Sequence, residues 1–189
     1  MVKIEDNGQV REVNKPNQSV YTFWDLGMDD PTAIVFAQIN ADNKVFVIDY
    51  YENTGHDIKH YLDIINEKPY KYAGHYMPHD AKKRNNTTGH NILDYCRTEF
   101  NFDIRPIPKT NSVRDDIEIV RRSLPETIFS LNTETLVDHL KNYQWNPVTG
   151  KILHNEHSHG ADAIRMMFMA MHHGMVQDYL TKTNKKPML

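Results

Sequence analysis

Cysteine is nearly absent. The 189 residues contain one, Cys96, which excludes an internal disulfide framework and any zinc site built from several cysteines. Glycine is sparse at 8 residues, and neither G-x-x-x-x-G-K-[ST] nor G-x-G-x-x-G occurs, so phosphate cradling by those two glycine loops is excluded. No run approaches the roughly 18 apolar residues of a membrane span. The opening MVKIEDNGQVREVNKPNQSV lacks the apolar centre of a signal peptide, so neither membrane insertion nor secretion is expected. Positive charge is not in excess either: 22 Lys and Arg stand against 25 Asp and Glu, a formal charge of -3. That argues against gripping nucleic acid by bulk charge alone, but leaves room for an acidic site neutralised by metal.

What is present describes an ordinary soluble chain. Hydrophobic residues make up 39% and charged residues 25%, enough for one domain with one good core. Residues 1–18 are polar and read as a tail or linker, 19–175 as a single domain, and 176–189 as a second tail. Within the domain, three strand-like runs come first: 20–26 (VYTFWDL), 32–39 (TAIVFAQI) and 45–51 (VFVIDYY). Their connections are short and rich in turn formers, so the three form an antiparallel meander.

Helical and strand patterns then alternate. Helical spacing covers 56–66, 89–100, 112–124 (Val113, Ile117, Val120, Leu124) and 133–143 (Leu136, Leu140 inward). Short strands are expected at 71–77, 103–107 and 127–129, the second at a sheet edge because of Pro106. Residues 145–154 read as a hairpin about Pro147 and Gly150. Ser158 is expected to cap a last helix reaching about Gly174. This helix is apolar nearly all round, hence buried. A meander followed by alternating helix and strand implies an α/β ribonuclease H-like fold: a mixed sheet, antiparallel meander plus parallel strands, with helices on both faces.

Three acids stand at element ends. Asp25 closes the first strand, Asp80 follows the fourth in MPHDA, and Asp162 opens the last helix in HSHGADA. A right-handed crossover returns the fourth strand beside the first and parallel to it. Their carboxyl ends then adjoin, where open α/β sheets place ligands, and a final helix crossing that crevice brings in Asp162. A carboxylate leading a buried helical line is costly unless paired or on metal. Three hard oxygen donors without cysteine suit Mg²⁺ or Mn²⁺, and two such ions form a phosphodiester-cleaving arrangement. His159 shares the helical face of Asp162 and could ligate, relay a proton or hold that acid. His79 is a weaker accessory. Lys82, Lys83 and Arg84 form a basic run just past Asp80, where a phosphate backbone would pass.

Taken together, WDLGMDDPTAI, IDYYENTG, GHYMPHDA, IPKTNSVRDDIEIVRRSLP and HSHGADAIR resemble the C-terminal nuclease domain of bacteriophage large terminase subunits, the DNA-packaging motors of tailed phages. The resemblance runs in order from about residue 20 to 171. The leading IEDNGQVREV is similar to the linker after the ATPase domain of such proteins. The resemblance implies a metal-dependent endonuclease that cuts concatemeric double-stranded viral DNA in the host-cell cytoplasm. It implies an ATPase domain, a small terminase subunit and a portal as partners. The family's metal acids fall on Asp25, Asp80 and Asp162, with Asp30 as an accessory. Some relatives carry a second acid beside the last one. Here Ala161 stands there, so His159 or Asp30 is expected to compensate. The 145–154 hairpin matches an element that guides DNA. Walker motifs are absent, so this chain is expected to be a nuclease fragment or separately encoded domain that neither hydrolyses ATP nor translocates DNA. A Holliday-junction resolvase or other ribonuclease H-like nuclease is the enzymatic alternative. A DNA-binding assembly module with a decayed site is the non-enzymatic one.

Overall fold

A computed structural model describes residues 8–13, 18–27, 30–83, 91–146, 148–149 and 152–176. Arg84, the expected helix start at Gly89, the hairpin positions Pro147 and Gly150, and the last residues of the C-terminal tail lie outside these. The element order is that expected from the sequence: β1 (Val20–Asp25), β2 (Thr32–Ile39), β3 (Val45–Asn53), α1 (Ile58–Glu67), β4 (Tyr72–Met77), α2 (Ile92–Phe100), β5 (Ile104–Pro106), α3 (Val113–Ser123), β6 (Ile128–Phe129), α4 (Glu134–Asn142) and α5 (Ser158–His172). The helix starts follow from local chemistry. Asp57, Asn91 and Ser112 each accept a hydrogen bond from the backbone N–H three residues on, at 3.1, 2.9 and 3.2 Å, which satisfies one orphan donor of each helix.

The six strands form one mixed sheet in the order β5-β4-β1-β2-β3-β6. β1, β2 and β3 are antiparallel, while β4 returns beside β1 in parallel, β5 parallel to β4 and β6 parallel to β3. β5 is an edge strand, as Pro106 implied. The return of β4 is anchored by Phe23 and Tyr76, register partners whose rings stack with centroids 5.3 Å apart, an arrangement worth about 1 kcal/mol beyond its area.

Strand alternation divides the core between two faces. Tyr21, Phe23, Ala33 and Val35 pack with α5 and with Leu136 and Leu140 of α4. Val20, Trp24, Ile34 and Phe36 pack with Leu62 and Ile65 of α1 and Leu93 and Cys96 of α2. α5 buries Ala161, Ile164, Met167 and Phe168 among others, as its apolar circumference required.

Four details differ from the sequence reading. β3 runs two residues further than expected, to Asn53, because Glu52 and Asn53 pair with Ala33 and Thr32. α5 begins at Ser158 itself, with His157 at the cap position and no side-chain cap, so Asp162 lies in the second turn. Val113 is exposed, because it is the first residue of α3 and precedes the turn that meets the core. In the leader, Val10 bridges Phe129 in parallel, and the Gln9 side-chain amide donates to the carbonyls of Leu124, Pro125 and Thr127. Trp145 and Ile152 bridge antiparallel, the pairing expected of the hairpin.

A half-buried histidine, His75, sets an acid limit on this fold. The Trp24 indole N–H donates to Thr22 Oγ1 at 2.9 Å, and that hydroxyl lies 2.8 Å from His75 Nδ1. Having accepted from the indole, the Thr22 hydroxyl still has a proton and a lone pair, so it can pair with either tautomer of a neutral imidazole. Burial pushes the His75 pKa down from 6.5 to about 4. The unfolded chain therefore binds a proton more readily than the fold does, and stability falls as pH drops from about 6.5 toward 4. The loss is on the order of 3 kcal/mol once pH is below both values. In urea melts between pH 7 and 4, His75→Asn, whose amide lies where Nδ1 does and can still pair with Thr22, is expected to lose less stability on acidification than wild type. Parallel acid limbs would remove His75 as their cause.

Candidate active site

Two strands and one helix bring the first group of polar side chains together. Asp25, at the end of β1, pairs with Ala33 of β2, which pairs in turn with Glu52 of β3. Directly opposed residues share a face, so Asp25 and Glu52 flank Ala33 on the α5 side of the sheet. After Asp25 the backbone at position 27 approaches Asp30 so closely that only glycine fits. A Cβ at Gly27 would fall 2.0 Å from the Asp30 carbonyl oxygen, and the Gly27 N–H donates to Thr32 Oγ1 at 3.1 Å.

α5 lays its first two turns over this row. His159 Nδ1 stands 3.4 Å from Asp25 Oδ2. A carboxylate can only accept, so that nitrogen carries the proton. The contact raises the His159 pKa above its ordinary value against the opposing effect of burial, and the charges of Asp25, Glu52 and Asp30 add to it. Asp30 itself is exposed. The Asp25 carboxyl is pushed up by burial, held back by its hydrogen bond with His159, and pushed up further by the charge of Asp162. Asp162 is 8% exposed and is held by two donors. The Tyr143 hydroxyl and Arg165 Nε each donate to it at 3.0 Å. Burial raises the Tyr143 pKa, and the charge of Asp162 raises it further, so the phenol keeps its proton.

Asp80 stands apart. It lies in a 3-10 turn, His79–Lys82, after β4, with half its side chain exposed, 2.7 Å from His79 Nε2 and 2.9 Å from Lys83 Nζ. The Lys83 hydrogen bond, with the charges of His79, Lys83 and Lys109, outweighs burial and holds its carboxyl below the usual range. The structure thus joins Asp25 to His159, sets Asp162 near enough for its charge to act on Asp25, and leaves Asp80 with Lys83 and His79. Among the described residues, no three His, Cys, Asp or Glu side chains stand close enough to hold a metal ion together. Lys82 and Lys83 are exposed.

Several participants were not found from sequence. Tyr50 donates its hydroxyl to Glu52 Oε2, and His139 Nδ1 lies 3.4 Å from the same oxygen. α5 sits directly on this group, since a Cβ at Gly160 would come within 2.8 Å of both Tyr50 Oη and His139 Nδ1. Glu52 lies one residue past the strand end expected at Tyr51. Carrying the alternation two residues on from Tyr50 reaches it. Arg165 was legible as a helical i, i+3 neighbour of Asp162. Tyr143 and His139 come from α4 and its exit, which no spacing ties to the site.

Burial and a like charge make ionised Asp25 unfavourable in the metal-free fold. Its raised pKa means that the penalty is present at neutral pH and is relieved as pH falls through the folded value toward 3.8. In EDTA at pH 7.5, Asp25→Asn is expected to melt above wild type, by roughly 1 kcal/mol, the usual size of one substitution. The gap should close on acidification. Thermal unfolding across pH measures this, and an Asp25→Asn chain less stable than wild type at pH 7.5 would contradict it.

The sequence profile of the terminase RNaseH-like domain matches residues 22–174. No curated protein matches the chain. Among solved structures, the large terminase of the thermophilic bacteriophage D6E in complex with ADP superposes with a TM-score of 0.69 at 16% identity. That match covers 87% of this chain and 42% of the D6E chain, so this chain spans less than half of that protein. The P22 large terminase nuclease domain gives a TM-score of 0.69 at 16% identity, covering 89% of this chain and 91% of that one. The nuclease domain of the large terminase from bacteriophage SPP1, solved with bound Mn, gives 0.64 at 18% identity, with 92% and 99% covered. These likenesses share the ribonuclease H-like fold, and the profile match over most of the chain carries the assignment: the chain belongs to the terminase RNaseH-like domain family.

Proposed function

We propose that this chain is a divalent-metal-dependent endonuclease that cleaves double-stranded DNA as the nuclease module of a large terminase. What supports the reading is the contact of His159 with Asp25 at the end of β1, with Asp162 near enough for its charge to act on Asp25, within a chain of the terminase RNaseH-like family. The donor chemistry fits a hard cation, because the half-buried Asp25 carboxylate faces the like charge of Asp162, and burial and that charge outweigh the relief from His159 and Arg165. Mg²⁺ or Mn²⁺ would be held by Asp25 and Asp162, with Asp80 joining from the neighbouring turn and His159 beside Asp25. When bound, a pair of such ions supplies Lewis acidity to the attacking water and the leaving 3′ oxygen.

The chain's own residues do the rest. His159 keeps a proton on Nδ1 toward Asp25 and fixes that carboxylate's direction. Lys82 and Lys83 face solvent beside Asp80, where they can take DNA phosphates. In doing so Lys83 would release Asp80 from its present pair, a small cost for an exposed ion pair. Asp30 adds negative charge at the mouth, and His79 stays with Asp80. The 145–154 segment, which carries the exposed Val148, would guide the duplex, as the family resemblance implies. The ATPase domain, small subunit and portal of a packaging motor are the partners this reading implies, in the host cytoplasm.

The test is cleavage of plasmid and linear duplex by the purified chain with Mn²⁺ or Mg²⁺. Cutting is expected, with little sequence preference, to weaken steeply with salt, and to vanish in excess EDTA and in Asp25→Asn and Asp162→Asn. Cleavage that survives EDTA would sink the metal reading. A dimer that cuts four-way junctions and spares linear duplex would favour the resolvase alternative. A folded chain that binds DNA and Mn²⁺ but never cuts would favour an assembly module.

A further inference from the structure

Asp162 is addressed through one oxygen. The Tyr143 hydroxyl and Arg165 Nε both donate to Oδ1, which leaves Oδ2 clear of both donors. Behind Arg165 stands a second carboxylate. The other bonded nitrogen of Arg165, Nη1, donates to Asp116 Oδ2 at 3.3 Å, and the Thr110 hydroxyl donates to the same oxygen at 2.7 Å. Asp116 is 3% exposed, in the first turn of α3. Burial opposes the Arg165 charge, but Asp162 and then Asp116 outweigh it and raise its pKa further.

We propose that Arg165, Tyr143 and Asp116 are positioning residues that hold Asp162 ready for a divalent cation. The proposal rests on the metal-dependent reading above. Two physical effects carry it. A planar guanidinium spans two carboxylates at fixed angles, so α3 fixes Arg165 and Arg165 fixes Asp162. Charge is the second effect. Arg165 alone would neutralise Asp162 and weaken its pull on a cation. Asp116 balances Arg165, so the triad keeps one net negative charge to offer. Core packing does not explain the network, since an apolar trio of equal volume is commonly at least as stable as a buried ion-pair triad.

The test measures Mn²⁺ binding by isothermal titration calorimetry, with thermal melting to confirm folding and DNA cleavage as a separate readout. Arg165→Lys keeps the charge but not the span, and Asp116→Asn removes the balancing charge. Each is expected to raise the half-saturating Mn²⁺ concentration roughly 10- to 100-fold, the usual effect of residues behind metal ligands. Tyr143→Phe should raise it by roughly 3- to 10-fold. The control is Asp49→Asn, a buried acid paired with Lys68 on the opposite face of the sheet. It should lower the melting temperature and leave Mn²⁺ affinity unchanged. Folded Arg165→Lys and Asp116→Asn proteins with wild-type affinity would overturn the proposal, as would an equal loss in the control. Where those two fail to fold, Tyr143→Phe decides, and unchanged affinity there overturns it. Wild type that binds no Mn²⁺ would overturn the functional reading and this proposal with it.

Discussion

Helix α5 has to bury itself on nearly every side and still bring ionised groups with it. Its apolar residues pack on β1 and β2 and against α3 and α4, so no face is free to carry His159, Asp162 and Arg165 into water. These groups are tolerated only because each meets a partner already in place: Asp25 at the end of β1, Tyr143 after α4, and Asp116 at the start of α3. Misplacing α5 would strand buried charges, at a cost of several kcal/mol each. The same requirement that seats the helix therefore assembles the site.

The three acids first singled out occupy different electrostatic settings. Asp162 is compensated by Arg165 and Tyr143. Asp80 is compensated by Lys83 and His79 at the surface. Asp25 is half-buried, beside a like charge, with a long contact to His159 as its main relief. Demand for a cation is thus concentrated at Asp25, while Asp162 is oriented and Asp80 is exchangeable. On the proposed reading such a division would let Asp25 and Asp162 attract the metal, with Asp80 joining once DNA phosphates drew Lys83 away.

Element order, strand alternation and helix faces were legible because each depends on neighbours within a few residues. The meander, the buried α5 and the edge position of β5 follow from alternation, an all-round apolar helix and Pro106. The misreadings share one cause. β3 ends at Asn53 because β2 offers partners to Glu52 and Asn53 across the sheet, and nothing local in YYENTG announces that. α5 starts at Ser158 because its first turn sits on Tyr50 and His139, although a serine before an apolar run reads as a cap.

By itself, then, the sequence determined which residues are apolar and at what period, hence the mixed sheet, its two helical layers and the acids at the ends of β1, β4 and the head of α5. Only tertiary structure decided which of those acids meet. Asp25 and Asp162 belong to the first strand and the last helix, and they become neighbours because α5 crosses β1. Asp80 follows the strand beside β1 and still turns outward, because Lys83 and His79 lie within reach in and beside its own short turn. Glu52, Tyr143 and Asp116 enter through strand register and helix packing. Side-chain partnership across a fold is set by where whole elements come to rest, and that depends on burial summed over the chain, which spacing within any one segment does not encode.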